Sequence, residues 1–145
     1  MVLQDRSING LIDKDPSKDN LFLISANNIF MNQTSQIKTL LKEQLQMNEL
    51  ETDIFLALMK SEKTTSRGFQ EKTNLTVDQI IEISKGLENK GMVIEINKNE
   101  FRALHPRFAI VNRYRRICQS NNILFKKNTL IDNLGIMLEN YQNQI

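Results

Sequence analysis

The side chains of this chain that could react or bind metal are few and isolated. His105 is the only histidine and Cys118 the only cysteine. One chain therefore cannot assemble a metal site of several histidines, a disulfide or a cysteine zinc cluster. The glycine patterns that cradle phosphates, G-x-x-x-x-G-K and G-x-G-x-x-G, are also missing. The expectation is a protein that is not an enzyme and carries no cofactor or metal. His105, just before Pro106, reads as a capping or packing histidine, and Cys118, beside an apolar stripe, as a structural thiol. What remains is charge. Residues 97–127 hold Lys98, Arg102, Arg107, Arg113, Arg115, Arg116, Lys126 and Lys127 against one acid, Glu100, a surplus of seven in a chain whose formal net charge is +2. Cations gathered in this way suit a polyanion such as a nucleic acid, and a solvated surface is the plainer alternative.

The elements that must position these cations follow from apolar spacing and caps. A chain of 145 residues, 40% hydrophobic and 25% charged, has ordinary globular composition. Its longest apolar runs, such as residues 54–59, fall well short of the roughly 20 residues of a membrane span. With no secretory pattern at the N-terminus, the expected setting is cytoplasmic, away from the membrane. Residues 1–34 read as a loose arm or small hairpin. Ile37, Leu40, Leu41 and Leu45 recur at helical steps. Asn48 with Glu51 forms a capping box that opens a second helix with Leu50, Ile54, Ala57 and Leu58 inward. Thr65 caps a short helix carrying Phe69, and Thr76 caps another in which Val77, Ile80, Ile81, Ser84 and Leu87 face the core and Gly91 ends the helix. Residues 92–96 and 101–104 then flank a polar turn, as in a two-stranded ribbon.

Pro106 opens a further helix with Ile110, Tyr114 and Ile117 on one face and Ala109, Asn112, Arg113 and Arg116 on the other. From there Leu130, Leu134, Met137, Leu138 and Tyr141 keep the three-four spacing of a coiled-coil seam. The expected fold class is mainly α. It comprises a winged helix-turn-helix domain over 35–118, with a two-stranded wing, and a C-terminal helix over 119–145 that joins two chains.

Several stretches add a resemblance to the pattern. Leu50-Glu51-Thr52-Asp53-Ile54-Phe55-Leu56-Ala57-Leu58, then Thr65, then Gly86-Leu87-Glu88-Asn89-Lys90-Gly91-Met92-Val93 and Phe101-Arg102-Ala103-Leu104-His105-Pro106 keep one register over roughly 36–110. In that order they resemble the winged-helix portion of the TrmB family of archaeal transcriptional regulators. The resemblance implies a regulator that binds double-stranded DNA as a homodimer. Too few residues follow the wing for that family's sugar-binding domain, so ligand sensing is not implied. Where the family commonly has Arg, Lys or Ser early on the recognition helix, this chain has Thr76-Val77-Asp78-Gln79, with Glu82 a turn later.

On this reading the DNA-facing residues are Thr65, Arg67, Thr76, Gln79, Lys85, Lys98, Arg102, Arg107, Arg113 and Arg116. Arg102, Arg113 and Arg116 are expected to neutralise phosphates, while Asp78 and Glu82 oppose the same field. The dimer residues are Leu130, Leu134, Met137, Leu138 and Tyr141. The alternative is a winged-helix adaptor whose acidic third helix binds a basic protein through Asp78 and Glu82.

Overall fold

A computed structural model describes residues 33–60 and 67–144. The chain divides after Thr34, and the arm or hairpin expected over 1–34 lies almost entirely outside the described residues. The unit that follows is mainly helical with one small antiparallel sheet. Its elements are α1 (33–44), α2 (Glu49–Lys60), α3 (Arg67–Thr73), α4 (Val77–Asn89), β1 (Val93–Asn97), β2 (Glu100–Ala103), α5 (Pro106–Ser120) and α6 (Thr129–Asn143).

Side-chain caps fix the starts of four of these helices. Asn48 Oδ1 accepts from Glu51 N at 2.8 Å, and Glu51 Oε1 accepts from Asn48 N at 3.0 Å, so an asparagine completes the box that starts α2. Gln79 closes a second box on Thr76 at the start of α4. His105 Nδ1 accepts from Arg107 N, with Pro106 in the first turn, to start α5. Asn128 Oδ1 accepts from Leu130 N and Ile131 N to start α6. After α4 the chain reverses at Gly91, whose φ of +81° falls in the left-handed region.

One continuous core joins these elements. Ile54, Leu58, Phe69, Ile80, Leu87 and Val93 are buried together, and Ile81 is partly buried against them. α2 packs on α3, α4 and β2, while α4 packs on β1. Val93 pairs with Ala103 and Ile94 with Arg102 across the ribbon, an alternation that sends Val93 and Phe101 inward and Ile94 and Arg102 outward. Leu50, expected inward, is exposed, because it lies in the first turn of α2 ahead of that helix's packed stretch.

The C-terminal stripe departs from its expected role. Leu134 and Leu138 are fully buried, Met137 and Tyr141 are partly buried against the same core, and Leu130 alone is half exposed. α6 folds back on α5, with Gly135 against Arg107 and Asn128 hydrogen-bonded to Tyr114. The spacing that suits a seam between chains here serves packing within one. Leu134 and Leu138 are therefore corrected from seam residues to core residues. Leu134→Ala should lower the unfolding free energy by about 2–5 kcal/mol in equilibrium urea denaturation, the range for emptying a closed core site. A variant as stable as the wild type would place Leu134 outside the core.

Candidate nucleic-acid interface

The cations of residues 97–127 separate into two groups according to what their side chains reach. The first group is held by the chain itself. Arg113 Nε donates to the Leu45 carbonyl at 2.9 Å, just past the last turn of α1. Arg116 Nη1 donates to the carbonyl of Asn89, the last residue of α4, and Asn112 Nδ2 donates to the Gly91 carbonyl at 3.1 Å. The final carbonyls of a helix lack partners within it and carry the negative end of its dipole, so a guanidinium is a favourable donor there. Burial pulls the Arg113 pKa below its ordinary value, the Glu51 carboxylate opposes that shift and Arg116 adds to it.

This arrangement corrects the expected outward face for Ala109, Asn112 and Arg113, while Arg116 stays exposed as it reaches the end of α4. Ala109 is fully buried, and the three polar side chains meet the ends of α1 and α4. α5 is therefore covered on two sides, by those ends and by α6, and the polar face reads as exposed only when α6 is the single neighbour considered. Gly91 permits the close approach: a Cβ there would lie 3.0 Å from Asn112 Cβ and 3.1 Å from Arg116 Nε.

Arg107, Arg115 and two lysines outside the basic stretch are engaged as well. Arg107 Nε donates to Glu139 Oε1 at 2.7 Å, and His105 Nε2 lies 3.3 Å from the other oxygen of that carboxylate. The Arg115 guanidinium sits over the Phe125 ring at 4.7 Å. Lys90 pairs with Glu51, tying the end of α4 to the start of α2, and Lys42 pairs with Glu49.

The second group consists of exposed cations with no ion-pair partner among the described residues. Lys98 stands in the ribbon turn, beside Asn99 at φ +61°, and Arg102 projects from β2 opposite Ile94. Lys85 lies on the exposed side of α4. Lys126 and Lys127 follow in the connection between α5 and α6.

The exposed strip of α4 runs through Asp78, Glu82, Lys85 and Asn89, at steps that keep one face. Two acids and one lysine give it a slight negative charge. Thr76 and Gln79 sit at its start with polar groups engaged in the cap: Thr76 Oγ1 accepts from Gln79 N at 3.2 Å, and Gln79 Oε1 accepts from Thr76 N at 2.9 Å. The sequence carries the Thr-x-x-Gln signal for this box, and it competes directly with a DNA-facing role for Gln79. Arg67 opens α3, and Thr65 lies outside the described residues.

Among the described residues no three His, Cys, Asp or Glu side chains gather as metal ligands. No described helix is long and apolar enough to cross a membrane. Cys118 is buried. No known protein family, curated protein or solved structure matches the chain.

The contact between Gly91 and α5 yields a direct test. Gly91→Ala places a side chain in a left-handed conformation and against Asn112 and Arg116, and should cost about 1–3 kcal/mol in thermal or urea unfolding. An unchanged midpoint would show that α5 does not approach Gly91 this closely.

Proposed function

We propose that residues 35–145 form a winged-helix domain that binds double-stranded DNA, with α4 as the recognition helix and the β1–β2 ribbon as the wing. The observation that carries this reading is the packing order: three helices, α2 to α4, closed by a two-stranded ribbon whose outer face presents Lys98 and Arg102. The stretches that resemble the TrmB regulators fall on these same elements, and the function implied is transcriptional regulation. Binding is led by the wing. Lys98 and Arg102 meet phosphates, with Lys85 as the cation of α4, while Asp78 and Glu82 weaken base reading apart from acceptance from cytosine N4. Arg113 takes no part, because its part-buried guanidinium points to the Leu45 carbonyl, and Arg116, though exposed, is tied to the Asn89 carbonyl.

A second reading is favoured by the charge of α4 itself. A recognition helix whose exposed strip carries Asp78 and Glu82 against Lys85 also suits a basic protein partner, which would make the domain an adaptor within a nucleic-acid machine.

Fluorescence anisotropy with a mixed-sequence duplex at several salt concentrations separates the two. Wild-type protein should bind with a steep loss of affinity as salt rises. Lys98→Ala with Arg102→Ala should weaken binding nearly equally on all sequences and flatten the log–log salt slope by about 2 per chain, from roughly 0.9 per phosphate released. Absence of wild-type binding at low salt would overturn the DNA reading in favour of the adaptor.

A further inference from the structure

The connection between α5 and α6 carries a run of exposed apolar side chains at the end of the basic stretch. Asn121 and Asn122 end α5, Asn122 at φ +55°, and residues 123–127 then run without helix or strand. Leu124 is 76% exposed, Ile123 57% and Phe125 40%. The base of this tip is held in place: the Phe125 ring lies 5.8 Å from that of Tyr114 and under Arg115, and Asn128 Nδ2 donates to the Tyr114 hydroxyl at 3.3 Å. Ile123 and Leu124 therefore project from a fixed support, with Lys126 and Lys127 just behind them. Three adjacent apolar side chains held in water in this way signal a contact surface.

A fitting surface lies close by on the same hairpin. Between α5 and α6 runs a groove of about 320 Å³, lined by Arg107, Val111, Ile131, Asp132, Gly135 and Ile136. Val111 and Ile131 give it apolar lining, and Gly135 lets α6 come close to Arg107, since a Cβ there would lie 3.4 Å from Arg107 Cγ. Ile136 is 43% exposed at its edge. Asp132 is exposed in the first turn of α6 and has no ion-pair partner among the described residues, as Lys126 and Lys127 have none. The tip is apolar with two cations; the groove is partly apolar with one unpaired anion, Asp132, while its one cation, Arg107, is taken up by Glu139. Groove and tip are joined through Asn128 to Ile131, so both lie on one hairpin.

We infer that a second copy of this chain covers this surface. The tip of each copy, Ile123 and Leu124, enters the groove between α5 and α6 of the other, and Lys126 and Lys127 meet the other copy's Asp132. Such an isologous contact closes on itself, so it gives a dimer and not a filament. This interface differs from the seam expected along α6, since it uses the side chains that α6 and its connection leave exposed. It does not rest on the DNA reading.

Light scattering on the full chain, over a range of protein concentrations, tests the pairing. Wild-type protein should form dimers. Leu124→Asp, at an exposed position where folding is not at stake, should weaken the dimer roughly a hundredfold, because the contact is lost twice. Charge exchange then tests the reciprocal geometry. Asp132→Lys alone, and Lys126→Asp with Lys127→Asp alone, should each favour the monomer, whereas an equimolar mixture of the two variants should recover dimers, because both tip-to-groove pairs regain opposite charges. A mixture that stays monomeric, or a Leu124→Asp chain that dimerises like the wild type, would overturn the proposal. So would a wild type that stays monomeric over the whole concentration range, and sedimentation of that monomer with phosphatidylserine vesicles would assign the tip to a lipid surface.

Discussion

α1 and α4 end side by side against one later helix, and each end leaves backbone carbonyls that its own helix cannot satisfy. α5 supplies donors to three of them: Arg113 to Leu45, Arg116 to Asn89 and Asn112 to Gly91. A part-buried carbonyl left without a partner costs about 1–3 kcal/mol, so the contacts to Leu45 and Gly91 favour this packing, while the Asn89 carbonyl lies at the surface. They also set the position of α5 and, through it, of α6, whose Leu134 and Leu138 complete the core. Gly91 belongs to the same constraint, since its reversal and its missing side chain let α5 reach the carbonyls.

The clamp reshapes the distribution of charge. A basic stretch that reads as one anion-binding segment is split into arginines that serve the fold and cations that remain open to solvent. Arg113 and Arg116 answer helix dipoles, and Arg107 answers Glu139. Lys98 and Arg102 project from the ribbon, and Lys126 and Lys127 flank an apolar tip. Two surfaces of different chemistry result. The ribbon offers cations beside a helix of mixed charge, suited to contacts with phosphates. The α5–α6 hairpin offers apolar side chains with complementary charges, suited to another copy of itself.

Much of the fold was legible because local signals carry it. The Asn48 box, the Thr76 cap, Pro106 in its first turn and the glycine at 91 are short-range features that act whatever surrounds them, and the helical spacing of Ile54, Leu58, Ile80 and Leu87 points to one core. The candidate site was less legible, for a physical reason. Periodicity gives the faces of a helix but not how many neighbours cover them, and α5 is covered on two sides. Asn112, Arg113 and Arg116 therefore read as a solvent face although they lie against helix ends. The stripe from Leu130 to Tyr141 is ambiguous in a similar way, since packing on the same chain and packing on another chain require the same spacing. Gln79 was visible as a polar residue on the exposed side of α4, yet its amide closes the cap.

Arg113 and Arg116 tie α5 to the ends of α1 and α4. The most direct measurement is equilibrium urea unfolding, followed by far-ultraviolet circular dichroism at one protein concentration, of the chain carrying Arg113→Ala and Arg116→Ala. Loss of the part-buried donor to Leu45 and the exposed donor to Asn89 should lower the unfolding free energy by about 1–3 kcal/mol, most of it from Arg113. An unchanged midpoint would contradict the clamp and return both arginines to the surface as candidate phosphate contacts.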